Sequence, residues 1–174
     1  QNQLAYVPGT PAAKTSAAPN VAAPPVPSAP AAPIAVPSAF RVNLSSDKGD
    51  RPSYKVGDFL NMSLSLSGDG TVYCYYEDTS RQVARIFPNQ FFGNPTLRSG
   101  STVRLPSGGF KIRFDQAGKE RIACIGADRE LVVPGNLKGV RDLTPLPVRS
   151  LDEIVNQYRQ GNPAAVVSYI DATI

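Results

Sequence analysis

The chain has 174 residues, with 17 prolines, 14 glycines, two cysteines, no histidine, no tryptophan and a net charge of +4. The missing histidine excludes Ser–His–Asp and Cys–His catalysis and imidazole ligation of a metal, and two cysteines cannot build a four-thiolate site. Setting Lys14 aside leaves 17 basic and 14 acidic residues, or +3. That bias is too weak to indicate a nucleic-acid binder, and no apolar run of about 18 residues is present to cross a membrane.

Residues 1–39 hold nine of the prolines, twelve alanines and one charge, Lys14. Proline fixes φ and removes a backbone donor, so this stretch is predicted to be an extended Pro/Ala-rich arm of polyproline II character. It cannot bury enough apolar surface to fold by itself. Leu4, Ala5, Tyr6 and Val7 form an apolar patch before the first proline and are the candidate partner-binding segment of the arm. The chain starts at Gln1 rather than methionine. The expectation is a processed N-terminus whose export or lipid-anchor signal lies out of view, giving a possible outer-membrane association.

From Phe40 the pattern changes to period two, and residues 40–174 are the candidate folded domain. Phe40, Val42 and Leu44 alternate with polar residues, and Leu60, Met62, Leu64 and Leu66 alternate strictly with Asn61, Ser63, Ser65 and Ser67. Each reads as a half-buried strand. Ser67–Gly70 turns the chain into a strand around Tyr73–Tyr76, and Gln82–Phe87 follows, ended by Pro88-Asn89. Ser101–Leu105, Phe110–Phe114 and Glu120–Ile125 complete seven strands separated by turn signals. The expected fold is mainly β: an antiparallel sandwich or small barrel of seven to eight strands with one C-terminal helix.

Cys74 and Cys124 each sit in the middle of a predicted strand. The expectation is a disulfide stapling the two strands in an oxidising, extracytoplasmic compartment. Two buried thiols in a reduced core are the alternative.

Residues 128–174 extend the β-rich core of 40–127. Ser150 and Glu153 form a capping box, and Leu151, Ile154, Val155 and Tyr158 make one apolar helical face ended by Gly161 and Pro163. The last strand, Ala165–Ile174, places Val166, Ile170 and Ile174 on one face and Val167 and Tyr169 on the other. Apolar on both faces, it needs cover on both sides and is a candidate assembly strand.

Five short motifs occur in order: Tyr54-Lys55-Val56-Gly57-Asp58, Gly70-Thr71-Val72-Tyr73, Phe87-Pro88-Asn89, Gly100 to Pro106 and Gly118-Lys119-Glu120. This series resembles the bacterial domain of unknown function 4384, over roughly Phe40–Ala127. The resemblance implies a small, mostly β domain found in envelope-associated proteins, and it brings no catalytic residues with it.

The motifs read as structural. The first two mark turns and strand entries, and Asn89 is suited to bonding local backbone. Phe91-Phe92 reads as a loop anchor in the core, and Tyr73 and Tyr75 as aromatics packed on a sheet. Lys111 and Arg113 fall on the face opposite Phe110 and Phe114, so they do not form a stacking surface for bases. The carboxylate pairs Glu77-Asp78, Asp128/Glu130 and Asp152-Glu153 show no sign of converging. Neither a catalytic site nor a cofactor or metal site is expected.

The functional expectation is a non-catalytic exported assembly subunit of a cell-envelope or extracellular complex, with the arm docking on neighbouring copies. The expected partners are other copies of the chain or an envelope protein complex, not nucleic acid. The alternative is a spacer-tethered binding module for peptidoglycan, glycan or a secretion component.

Overall fold

A computed structural model describes residues 39–174. The segment Leu4, Ala5, Tyr6 and Val7, with the rest of the proline-rich arm, lies outside the described residues. Eight strands and one helix follow in the order β1 (Val42–Ser46), β2 (Met62–Leu66), β3 (Gly70–Glu77), β4 (Val83–Phe87), β5 (Thr96–Leu97), β6 (Thr102–Leu105), β7 (Lys119–Ala127), α1 (Leu151–Gly161) and β8 (Val166–Thr173).

Two antiparallel sheets result. One has the order β1-β2-β6; the other has the order β4-β3-β7-β8, with β5 pairing the start of β3. The sheets do not close into a barrel, so the sandwich expectation stands and the barrel does not. The alternation in β2 explains its position. Met62, Leu64 and Leu66 are buried, while Ser63 and Ser65 between them face outward.

The larger sheet is covered on both faces. Its inner face meets the smaller sheet through Val72, Cys74, Ile86, Phe87, Ile122 and Ile170. Its outer face is covered by α1, where Tyr75, Ala123 and Ile125 pack with Leu151, Ile154, Val155 and Tyr158. A strand between two cores must be apolar in both directions, which is why β7 is buried almost throughout. Fully burying one large aliphatic side chain contributes about 1.5–3 kcal/mol.

The helix begins as its sequence predicts. Ser150 Oγ accepts from the Glu153 backbone N–H at 3.3 Å. Glu153 reaches one residue further than the usual box, accepting from the Arg149 N–H at 2.8 Å. A buried carboxylate from the sheet adds to this cap: Glu77 Oε2 accepts from the Leu151 N–H at 2.6 Å.

Two strand expectations need correction. Phe110–Phe114 is not a regular strand; only Arg113 bridges Phe59 across it. Its alternation is real, because Phe114 is buried while Lys111 and Arg113 are exposed. Its partner is the short entry segment Asp58–Leu60, which donates from Leu60 N–H to Ile112 carbonyl and accepts from Phe114 N–H at Asp58 carbonyl. That contact is too short to propagate a ladder. The two-residue strand β5 had no counterpart in the sequence reading.

The C-terminal strand pairs with β7 along its whole length, from Lys119–Thr173 to Gly126–Val166. Val166, Ile170 and Ile174 join the core between the sheets. Val167 joins the core under the helix. Tyr169 is exposed beneath the Arg121 guanidinium. The chain itself therefore covers the first face, and the second only at Val167. Phe40 packs across the other end of this sheet, against Gly70 and Gly126, where a Cβ would overlap its ring or neighbouring atoms.

Candidate functional site: an aromatic rim and an apolar groove

The site is built from two loops held together by one side chain. The loop after β4 runs through Phe87-Pro88-Asn89 to Phe91 and Phe92. The loop after β6 runs through Pro106-Ser107-Gly108 to Phe110. Asn89 is buried between them. Its amide nitrogen donates to the Ile86 carbonyl at 3.0 Å, to the Ser107 carbonyl at 3.3 Å and to Ser107 Oγ at 2.8 Å. Its amide oxygen accepts from the Phe91 and Phe92 backbone N–H groups at 2.8 and 3.0 Å. A buried amide with all of these partners fixes the local backbone and leaves none of its polar atoms unpaired.

The consequence is a rigid presentation of two phenylalanines. Phe91 is 50% exposed and Phe92 40%. The sequence reading placed this pair as a core anchor; the structure instead uses one face of each ring for packing and leaves the other to solvent. Phe91 stacks on Phe110 with ring centroids 6.2 Å apart, and Phe92 leans on Phe87 at 5.4 Å. Gly108 makes the first contact possible. Its φ is +87°, and a Cβ there would collide with the Phe91 side chain.

Beside this rim lies a largely apolar groove of about 440 Å³, walled by Val83, Ile86, Phe110, Ile112, Leu143 and Pro145, with Asp78, Gln82 and Lys111 also lining it. One wall exists because the chain after β7 returns to close the free edge of β4. The Leu143 N–H donates to the Arg85 carbonyl at 2.9 Å, and the Leu146 N–H donates to the Val83 carbonyl at 2.8 Å. No local pattern around Leu143 announces this return, so the groove was invisible in the sequence.

Tyr76 also lines the groove. Its hydroxyl donates to the buried carboxylate of Glu120. Burial, and then the hydrogen bond to that carboxylate, push the Tyr76 phenol far above its ordinary range. Burial also raises the Glu120 carboxyl, aided by the nearby charges of Asp78 and Asp115 and opposed by the Tyr76 donor. Glu120 is thus spent on holding Tyr76 and does not point a free carboxylate into the groove. Among the described residues no group of His, Cys, Asp and Glu is placed to hold a metal ion.

The remaining sequence candidates settle elsewhere. Cys74 and Cys124 face each other in register on β3 and β7 and form a disulfide. Tyr75 is buried and shares a hydrogen bond of 2.5 Å with Tyr158, while Tyr73 lies tilted against the same Tyr158 ring. Both tyrosines dock the helix. The acidic residues are engaged elsewhere: Glu77 caps α1, Asp152 pairs with Arg121 at 3.1 Å, and Asp128 pairs with Arg129 at 2.8 Å.

Three of the five motifs fall on structural fasteners. Tyr54 donates to Asp47 at 2.8 Å, and Asp58 accepts from the Lys55 N–H at 2.9 Å to close the entry turn. Asn89 ties the two loops, and Glu120 receives Tyr76. Residues 53–130 match the family model described as a domain of unknown function, DUF4384. Over this stretch the chain is similar to that family. The rim and most of the groove lie inside the DUF4384 stretch, whereas Leu143, Pro145, the helix and β8 lie beyond it. No curated protein and no solved structure matches the chain.

Proposed function

We propose that the protein is a non-catalytic, exported assembly subunit of a cell-envelope or extracellular complex, in which the N-terminal arm of one copy docks on another. The observation that supports this most is the rim. Two half-exposed phenylalanines sit on a loop made rigid by five side-chain hydrogen bonds of one buried asparagine. Holding apolar rings against water on a fixed backbone is the character of a contact surface. An arm of 38 residues rich in proline and alanine, with one charge, accompanies it in the same chain.

The disulfide supports an oxidising compartment and hence an extracytoplasmic location. No helix among the described residues is long and apolar enough to cross a membrane. The terminal strand stays within the proposal through its edge rather than its faces. Among the described residues, its outer edge bonds Pro52 and Tyr54 at Thr173 alone.

Sedimentation of the full chain and of a form lacking residues 1–38 tests the reading. The full chain should self-associate with rising concentration, and the shortened form should remain folded and monomeric. Equal association of the two would reject the arm. A monomeric full chain would favour the tethered binding module instead.

A further inference from the structure

The arm has a periodicity that its composition alone does not convey. Pro24, Pro27, Pro30 and Pro33 are spaced three apart. A polyproline II chain has three residues per turn and rises about 3.1 Å per residue, so these four prolines would form one ridge about 28 Å long. Ridges of this kind dock on aromatic and apolar grooves because the ligand is already extended and loses little entropy. The described domain carries such a surface in the rim and groove formed by Phe91, Phe110, Ile112, Leu143 and Pro145. The segment from Pro24 to Pro33 carries no charge, in keeping with the apolar part of a wall that also carries Asp78, Gln82 and Lys111.

We infer that the Pro24–Pro33 ridge of one copy occupies the aromatic rim and groove of a second copy. This rests on the assembly reading above and names its contact. The second copy is favoured by reach. Phe40 is anchored against Gly70, at the start of β3, while Tyr76 marks the groove six residues further along that strand. Six residues of strand are about 20 Å. The seven residue steps from Pro33 to Phe40 span about 23–25 Å at full extension. A ridge filling the groove of its own copy would need that link nearly fully extended, and a neighbour's ridge carries no such restraint.

The test uses the full chain with a photo-crosslinking phenylalanine analogue at Val26, off the ridge. This labelled copy is mixed with isotopically heavy copies that lack the analogue. Mass spectrometry then reports both the acceptor residue and whether it belongs to the same copy. The expected products join the analogue to heavy peptides containing Phe91, Phe110 or Leu143. The double variant F91S/L143N should weaken self-association at least about tenfold while keeping the unfolding midpoint. Asparagine suits position 143, where φ is +59°. An arm with the same composition but the prolines moved off the three-residue period should weaken it similarly.

Heavy products mapping elsewhere on the domain, with association intact, would overturn the groove assignment and leave the assembly reading standing. Products within one copy at this groove would overturn the exchange between copies. A full chain that stays monomeric would remove the assembly reading itself, and this inference with it.

Discussion

At the scale of single residues, the chain uses buried polar groups as fasteners rather than as reagents. Glu120 is the clearest case. Its carboxyl is raised above its ordinary value of 4.5, first by burial. A raised carboxyl pKa means that the folded state holds the proton more tightly than the unfolded chain does. The associated stability is present below pH 4.5 and is lost as pH rises through the folded value. Tyr76, raised by burial and by the carboxylate itself, stays protonated across that window and keeps donating. Replacing Glu120 with glutamine keeps an acceptor for Tyr76 and removes the ionisation. Urea midpoints of both proteins between pH 4 and pH 8 should therefore converge at the acid end, on the order of pH 4, and favour the variant near neutrality. Parallel pH profiles for the two proteins would show that Glu120 ionises without cost.

At the scale of elements, the junction of α1 with the sheet rests on Glu77. The Leu151 N–H is one of the donors that a helix start leaves without an intrahelical partner, and Glu77 satisfies it from inside the fold. Arg81 lies 3.4 Å away and balances part of the charge. Substituting alanine at Glu77 strands a buried N–H, which costs about 1–3 kcal/mol. Glutamine should cost less, because it retains an acceptor. Denaturant unfolding of both variants checks this, and equal losses would mean that the hydrogen bond to Leu151 is not what matters. The helix itself was legible because capping and an apolar face at helical spacing are local signals. So was β2, whose leucines and serines alternate without a break. The tether from Glu77 was not legible, since it joins residues 74 positions apart. The same reason hid the rim. Phe91-Phe92 looks like core in isolation, and only the link from Asn89 to Ser107, 18 residues away, decides that the rings stay at the surface. Phe110–Phe114 carried a true alternation, but a strand also needs a neighbour of matching length, and Asp58–Leu60 is too short to be one.

At the scale of the whole molecule, the two cores share one floor, the paired strands β3 and β7. Cys74 and Cys124 stand opposite each other on that pair and face the core between the sheets. Their neighbours Tyr75, Ala123 and Ile125 face the helix. The disulfide therefore joins the two elements on which both layers depend, across a separation of 50 residues. On the chain-entropy account, a cross-link of that span stabilises by about 4 kcal/mol, chiefly by restricting the unfolded chain. For a domain of ordinary marginal stability this is a large share of the total. The double variant C74A/C124A should lower the unfolding free energy by about that amount, read from urea titrations. Its unfolding should remain one cooperative transition, because β3 and β7 are still paired and both cores still meet on them. Two separate transitions, with the helix layer lost first, would show that the disulfide couples the layers rather than merely shortening the unfolded ensemble. A loss below about 1 kcal/mol would shift the weight to the packing of the two cores.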